Sequence, residues 1–245
     1  MSDALDKQNE RLFNAIEDAL VHMHKKSPPR ELMADIRRRY PSPVFFVESN
    51  AYTLRHAGLP RLDAFYFTMI PALARKVGRE SYGKKPRLDK LSKMAGYLAT
   101  LFIGIHVECF YEVLLDSRGY VIDTVLVRKG TTNSTPFYLK EALSIAVQKE
   151  ARAVVLCHNH PCGTLKPSRE DVACTLKAMN AFAALEVPVL DHVIIAQDQA
   201  VSMRDCGAVP ASLWAMQAPD SKLLRDWIDV DLLANIDFEQ EDTEP

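Results

Sequence analysis

Apolar residues recur at helical spacing through roughly the first hundred positions and with a period of two beyond Glu108. Leu5, Leu12, Phe13, Ile16, Leu20 and Val21 trace one face of a helix over residues 5–26, which Ser27-Pro28-Pro29 ends. Shorter helices are predicted over Arg30–Arg39, Val44–Asn50 and Tyr52–His56, the first stopped by Tyr40-Pro41-Ser42-Pro43. Ala57-Gly58-Leu59-Pro60 turns into a helix over Leu62–Val77, with Pro71 an interior irregularity, and Leu88–Gly104 forms another despite Gly96. Strands then follow over Cys109–Asp116 and Tyr120–Val127, joined by the hairpin turn Asp116-Ser117-Arg118-Gly119. After a loop over 130–135, Pro136 opens the helix Phe137–Lys149, which buries Leu139, Leu143, Ile145 and Ala146. A strand over 153–158, a helix over 168–184, a strand over Val187–Ala196 and a short strand ending near Met203 complete the pattern. The order β-β-α-β-α-β-β gives an α/β (α+β) sandwich with a mixed β-sheet flanked by helices, behind a small all-α domain.

Composition changes this picture at the ends. Net charge over 245 residues is −2, so no global field favours nucleic acid. Residues 1–90 carry 17 Lys and Arg against 11 Asp and Glu, a net +6; residues 209–245 carry 2 against 9, a net −7. Two solvated faces account for this asymmetry, as does a weakly basic N-terminal module or an acidic tail that docks on it. Arg37-Arg38-Arg39 and Lys84-Lys85 are short basic clusters of the kind found on solvated surfaces. Tyr82-Gly83-Lys84-Lys85-Pro86-Arg87 has linker composition and marks a boundary, giving domains over 1–85 and 86–207. After Gly207 the order is lost: Leu213 and Trp214 are docking candidates, Leu223–Leu233 a short helix, and 239–245 a disordered acidic end. The five cysteines form no C-x-x-C pair, and Met1-Ser2-Asp3-Ala4 opens no secretory leader, so a reduced, cytoplasmic protein is expected. No apolar run approaches the roughly 18 residues that span a membrane.

The chemistry concentrates in His158-Asn159-His160-Pro161 and the segment after it. Ala153 to Cys157 is short, apolar and β-branched, a buried strand. Residues two apart on a strand share a face, so His158 and His160 point the same way and can share a metal ion. Pro161 stops the ladder, Gly163 and Pro167 shape a loop, and Ser168 is placed to cap the helix that follows. Asp171 falls in that helix's first turn, where a carboxylate is favoured and can face the strand end. Two His and one Asp are the three ligands of a catalytic zinc site that keeps a fourth position for water. His22 and His24 lie on a helix, where residues two apart diverge by roughly 200°, and cannot grip one ion together. His192, beside Asp191 on an apolar strand, reads as a hydrogen-bonded core or supporting residue rather than a ligand.

His158, His160, Ser168 and Asp171, with Glu108 upstream, are spaced as in the JAMM (MPN-plus, JAB-type) metalloproteases. His-Asn-His-Pro-x-Gly, Pro-Ser-Arg-Glu-Asp and Leu190-Asp191-His192 resemble the RadC branch over roughly residues 86–207. The resemblance implies a JAMM/MPN, cytidine-deaminase-like sandwich. It also implies Zn2+ held by His158, His160 and Asp171, with Glu108 as proton shuttle and Ser168 as hydroxyl donor to a developing oxyanion. The implied reaction is amide hydrolysis, of peptidase or isopeptidase type, on a protein or peptide substrate, ubiquitin-like proteins among them. RadC proteins carry a helix-hairpin-helix module where Ala57-Gly58-Leu59-Pro60 stands. Pro60 replaces its second glycine and has no N–H for a DNA phosphate, so the hairpin reads as degenerate and argues against DNA contact. Phe137-Tyr138 replaces the usual Arg-Glu, implying a more aromatic groove. Cys162 replaces the usual serine, implying a tolerated small residue or a redox-sensitive thiol near the metal. Competing readings are a DNA-repair-associated accessory protein and a non-catalytic MPN scaffold.

Overall fold

The computed structural model describes residues 2–88, 91–105, 107–130, 135–196 and 199–217. They fall into two compact units, Met1–Ser81 with Thr100–His106, and Tyr82–Ala99 with Val107 onward.

The first unit is helical: α1 (Ser2–His24), α2 (Arg30–Arg39), α3 (Pro43–Glu48), α4 (Ala51–His56) and α5 (Arg61–Glu80). Phe13, Ile16 and Leu20 of α1 meet Met33, Ile36, Phe46, Leu54 and Phe67 in one apolar cluster. Phe46 is fully buried, its ring edge-on to Tyr40 at 5.3 Å and Phe67 at 5.1 Å between centroids. The buried Asp63 carboxylate is met by His24 Nε2 at 2.8 Å, which gives that histidine a packing role. Asn50 caps α4 by accepting the Thr53 N–H at 2.9 Å. Gly58 takes φ +98° in the turn between α4 and α5, and Pro60 stands at the N-cap of α5. Pro71 lies inside α5, yet the helix runs on to Glu80; a side chain at Gly104 would collide with Pro71.

The second unit is a five-stranded mixed sheet in the order β2-β1-β3-β4-β5, with β1 (Cys109–Leu115), β2 (Val121–Lys129), β3 (Ala153–Asn159), β4 (Val189–Ala196) and β5 (Gln199–Ser202). β3 and β4 run parallel; β1 is antiparallel to β2 and β3, and β5 to β4. Every residue of β3 and β4 is buried, which is why both strands read as continuous apolar runs. One face packs on α7 (Thr135–Gln148) through Ala142 and Ala146 and on α8 (Arg169–Ala183) through Ala178, Met179 and Phe182. On α6 (Leu91–Leu101), Tyr97 Oη lies 2.7 Å from Thr124 Oγ1 of β2.

Two expectations are corrected. The end of the expected linker Tyr82–Arg87 is tied down: Pro86 C=O accepts the Val121 N–H at 2.9 Å, and Leu88, expected as the start of the next helix, donates its N–H to Gly119 C=O at 3.0 Å, so this stretch seals the hairpin turn. Order also continues past Gly207. α9 (Ala211–Met216) buries Trp214 in the core, and the Gln217 amide bonds both N–H and C=O of Val189 at 2.9 Å. The helix expected over Leu223–Leu233 and the acidic end lie outside the described residues, as do the Phe137 and Tyr138 side chains. No helix among the described residues is long and apolar enough to cross a membrane.

Candidate metal centre

The site forms where β3 ends and α8 begins. His158 is the penultimate residue of β3 and His160 follows the strand, with His160 N–H bonded to Ile195 C=O at 2.8 Å. Gly163, at φ +83°, lets the loop fold back. Ser168 then caps α8 in a reciprocal box: its Oγ accepts the Asp171 N–H at 3.0 Å, while Asp171 Oδ2 accepts from Ser168 N–H at 2.7 Å and from its hydroxyl at 2.6 Å. A local rule of helix initiation thus aims the carboxylate at the strand end.

The three expected side chains converge. His158 Nε2 and His160 Nε2 are 2.9 Å apart; Asp171 Oδ1 lies 3.1 Å from the first and Asp171 Oδ2 3.4 Å from the second. His158 is buried, whereas His160 and Asp171 are partly open, so the cluster faces solvent on their side. Burial alone would raise the Asp171 carboxyl, but the adjoining His158, His160 and Ser168 side chains outweigh it and hold the group well below the usual range. That carboxylate in turn holds His160 above the ordinary imidazole value, against the effect of burial.

The tautomers follow from the surrounding bonds. His160 Nδ1 lies 2.8 Å from Thr164 C=O, an acceptor only, so Nδ1 carries the proton and a neutral ring presents its Nε2 lone pair inward. His158 is set by a longer chain. Thr175 Oγ1 donates to Asp171 C=O at 2.7 Å, His192 Nδ1 lies 2.6 Å from Thr175 Oγ1, and His158 Nδ1 lies 2.8 Å from His192 Nε2. Burial depresses the His192 pKa, so this ring is neutral and has one proton to give. With the threonine proton on Asp171, His192 donates to Thr175 and accepts from His158, leaving the His158 Nε2 lone pair in the site. The Phe110 ring lies parallel to His158 at 5.8 Å and closes its other side.

Glu108 stands one residue before β1 and is exposed. Phe110 pairs with His158, so continuing that register sets Glu108 across from His160 and on the same sheet face. Its backbone is fixed on both sides by one side chain: Asn159 Oδ1 accepts the Cys109 N–H at 2.8 Å and Asn159 Nδ2 donates to Val107 C=O at 3.1 Å. Asn159, which strand alternation turns away from His158 and His160, thus anchors the strand start that carries Glu108. Thr175 was missed by sequence reasoning, although its position four residues after Asp171 on one helix was a usable signal. Cys162 is exposed on the same loop.

The sequence pattern of a family described as a RadC-like JAB domain matches residues 88–208. A UPF0758 protein of Shewanella baltica strain OS185 is 35% identical over 152 residues, covering 61% of this chain and 68% of its own length. UPF0758 proteins of Shewanella sp. strain ANA-3 and Shewanella putrefaciens strain CN-32 are similar to the same extent.

Proposed function

We propose, since the chain belongs to the RadC family and carries its JAB-type domain, that it is a zinc-dependent hydrolase of amide bonds. One observation carries the reading: single ligand atoms of His158, His160 and Asp171 all lie within 4.8 Å of one another at an open strand end. With both rings neutral, two imidazole lone pairs and a carboxylate are all acceptors, a donor set that suits a cation among them. Zinc bonds of about 2.0–2.1 Å set tetrahedral ligands about 3.3 Å apart; the two Nε2 atoms are 2.9 Å apart, and each has one Asp171 oxygen near that distance, Oδ1 at 3.1 Å from His158 and Oδ2 at 3.4 Å from His160. Bound there, zinc supplies a Lewis acid and brings the pKa of a coordinated water to about 7.

The chain's own residues do the rest. Glu108 is no ligand in this set and takes and returns the proton of the attacking water. Asn159 holds the backbone on either side of it at a fixed height above His160. The Ser168 hydroxyl is bonded to Asp171 and serves as oxyanion donor on rotating toward a substrate carbonyl. The opening on the His160 and Asp171 side suits an extended protein or peptide segment as substrate. Purified protein is expected to hold about one zinc per chain, as a single three-ligand site would. Glu108→Gln should keep that zinc and lose hydrolysis of peptide libraries and ubiquitin-like fusions by at least about 100-fold. Folded protein that takes up no zinc refutes the proposal.

A further inference from the structure

Helix α5 is apolar on two faces. Ala64, Phe67 and Pro71 are buried. On another side Leu62, Phe65, Tyr66, Met69, Ile70, Leu73 and Val77 are all between 44 and 62 % exposed. Leu62, Tyr66, Met69, Leu73 and Val77 follow the spacing i, i+4, i+7, i+11, i+15, one continuous stripe. A polar strip of Arg61, Thr68, Arg75 and Arg79 fills the remaining face. At about 150–250 Å² for a large side chain, these exposures amount to roughly 700 Å². A typical monomer's largest apolar patch is about 300–600 Å². Beside the stripe, within the same unit, lies a cavity of about 200 Å³ with an apolar wall that includes Leu12, Val47, Ile70, Ala74 and Ile103.

We infer that this stripe is a self-association surface, occupied by α5 of a second copy of the chain running antiparallel to it. The area is of the right size: two such faces bury about 1,400 Å², inside the roughly 1,200–2,000 Å² of stable interfaces. The charge pattern sets the direction. A parallel pairing through the stripe would bring Lys76 and Glu80, which lie on the same helix face as Met69, Leu73 and Val77, each against its own copy. An antiparallel pairing with its two-fold axis between Met69 and Ile70 sets Leu62 across from Val77 and Tyr66 across from Leu73. It also brings Arg61 within a turn of Glu80 of the second copy. The same register lays Phe65 of one copy over Ala74 of the other, at the wall of the cavity, which receives the ring as an anchor. Such a contact is isologous and closes on itself as a dimer.

The test is the oligomeric state of the full-length protein by sedimentation velocity, from sub-micromolar to about 100 μM. A dimer is expected, weakened at least about 100-fold by Leu73→Glu, whose effect counts twice across the two-fold axis. Phe65→Ala should weaken it less. Arg61→Glu and Glu80→Arg should each weaken it a few-fold, and the double reversal should restore it; only the antiparallel register predicts that rescue. Helix content by circular dichroism and metal content should not change in any variant. A wild type that stays monomeric overturns the inference. Slow amide exchange along α5 in that monomer would show another segment of the chain covering the stripe. A dimer that survives Leu73→Glu combined with Met69→Glu also overturns it, since the interface then lies elsewhere. None of these outcomes bears on zinc content or hydrolysis, so the dimer and the hydrolase stand or fall separately.

Discussion

The two units spend their polar and apolar residues in opposite ways. The sheet unit hides polar groups: Glu112, His158, Asn159, Thr175, Asp191, His192 and Ser202 are all buried within it. Among its described residues the helical unit hides one charged side chain, Asp63, and it leaves a full apolar helix face in solvent. Burying polar groups destabilises a fold unless each finds a partner, so a unit that buries many is organised for something besides stability. In the sheet unit, most of them converge on one strand end and serve His158, Asp171 or the strand that carries Glu108. In the helical unit the exposed stripe has no such convergence, and its use is contact.

Glu112 breaks that pattern, and it carries the largest expected effect. It sits mid-strand in β1, fully buried, paired in register with Val125 and Leu156, and neither carboxylate oxygen has a partner. Burial pushes its pKa from 4.5 up to about 8. The folded state holds this proton more tightly than the unfolded chain does. Its stabilising contribution is therefore complete below pH 4.5 and is lost as pH rises through 8. The loss is about 1.4 kcal/mol per pH unit across that window, on the order of 5 kcal/mol in all. Glu112→Leu should remove this slope. Urea denaturation of the metal-free protein at pH 5 and pH 9 should then show the variant gaining far more at pH 9. Equal gains at both would mean that Glu112 ionises freely in the fold.

Next in size is the helical unit's own core. Phe46→Ala opens a cavity between Tyr40 and Phe67 and should cost about 3–5 kcal/mol. The loss should be confined to the helical unit, leaving zinc content intact. Loss of zinc would show that the site depends on more than the sheet unit. Smaller again is the effect of His192→Leu, which deletes the acceptor that holds the His158 proton on Nδ1. Zinc affinity measured by competition with a chelator should fall about 10- to 100-fold, and His192→Gln, whose amide oxygen can still accept, should recover part of it. Equal losses in both would assign His192 to packing alone.

These cases also show what could be read in advance. Element order and the convergence of His158, His160 and Asp171 were legible, because strand alternation, the cap before α8 and the His-x-His spacing are all local rules. The ends of the sheet unit were not. Pro86 looks like linker until β2 is beside it, and Gln217 looks like a trailing residue until Val189 presents a free N–H and C=O. Glu112 falls inside the strand expected over Cys109–Asp116, and a period-two pattern says nothing of whether the second face is covered as well. The Thr175–His192–His158 chain joins three elements, and no single window of sequence contains it.

The smallest effects come from one local device that both units share. Asn50 caps α4 and Ser168 caps α8, each accepting an N–H from the residue three positions on, at 2.9 and 3.0 Å. Replacing either with alanine should cost about 1 kcal/mol of stability, since the bond lost is the same. The consequences should then separate. Asn50 also accepts from the Thr53 hydroxyl at 3.1 Å and touches no site residue, so Asn50→Ala should lower stability and nothing else. The Ser168 hydroxyl donates at 2.6 Å to Asp171 Oδ2, the oxygen that faces His160. Without it the carboxylate keeps only the Ser168 N–H bond and can swing about that single contact. Ser168→Ala should therefore lower zinc affinity by about tenfold over and above its loss of stability, in the range typical of residues that orient a ligand. Matched stability losses with unchanged zinc affinity in both variants would mean that the cap at Ser168 does no more for the site than the cap at Asn50.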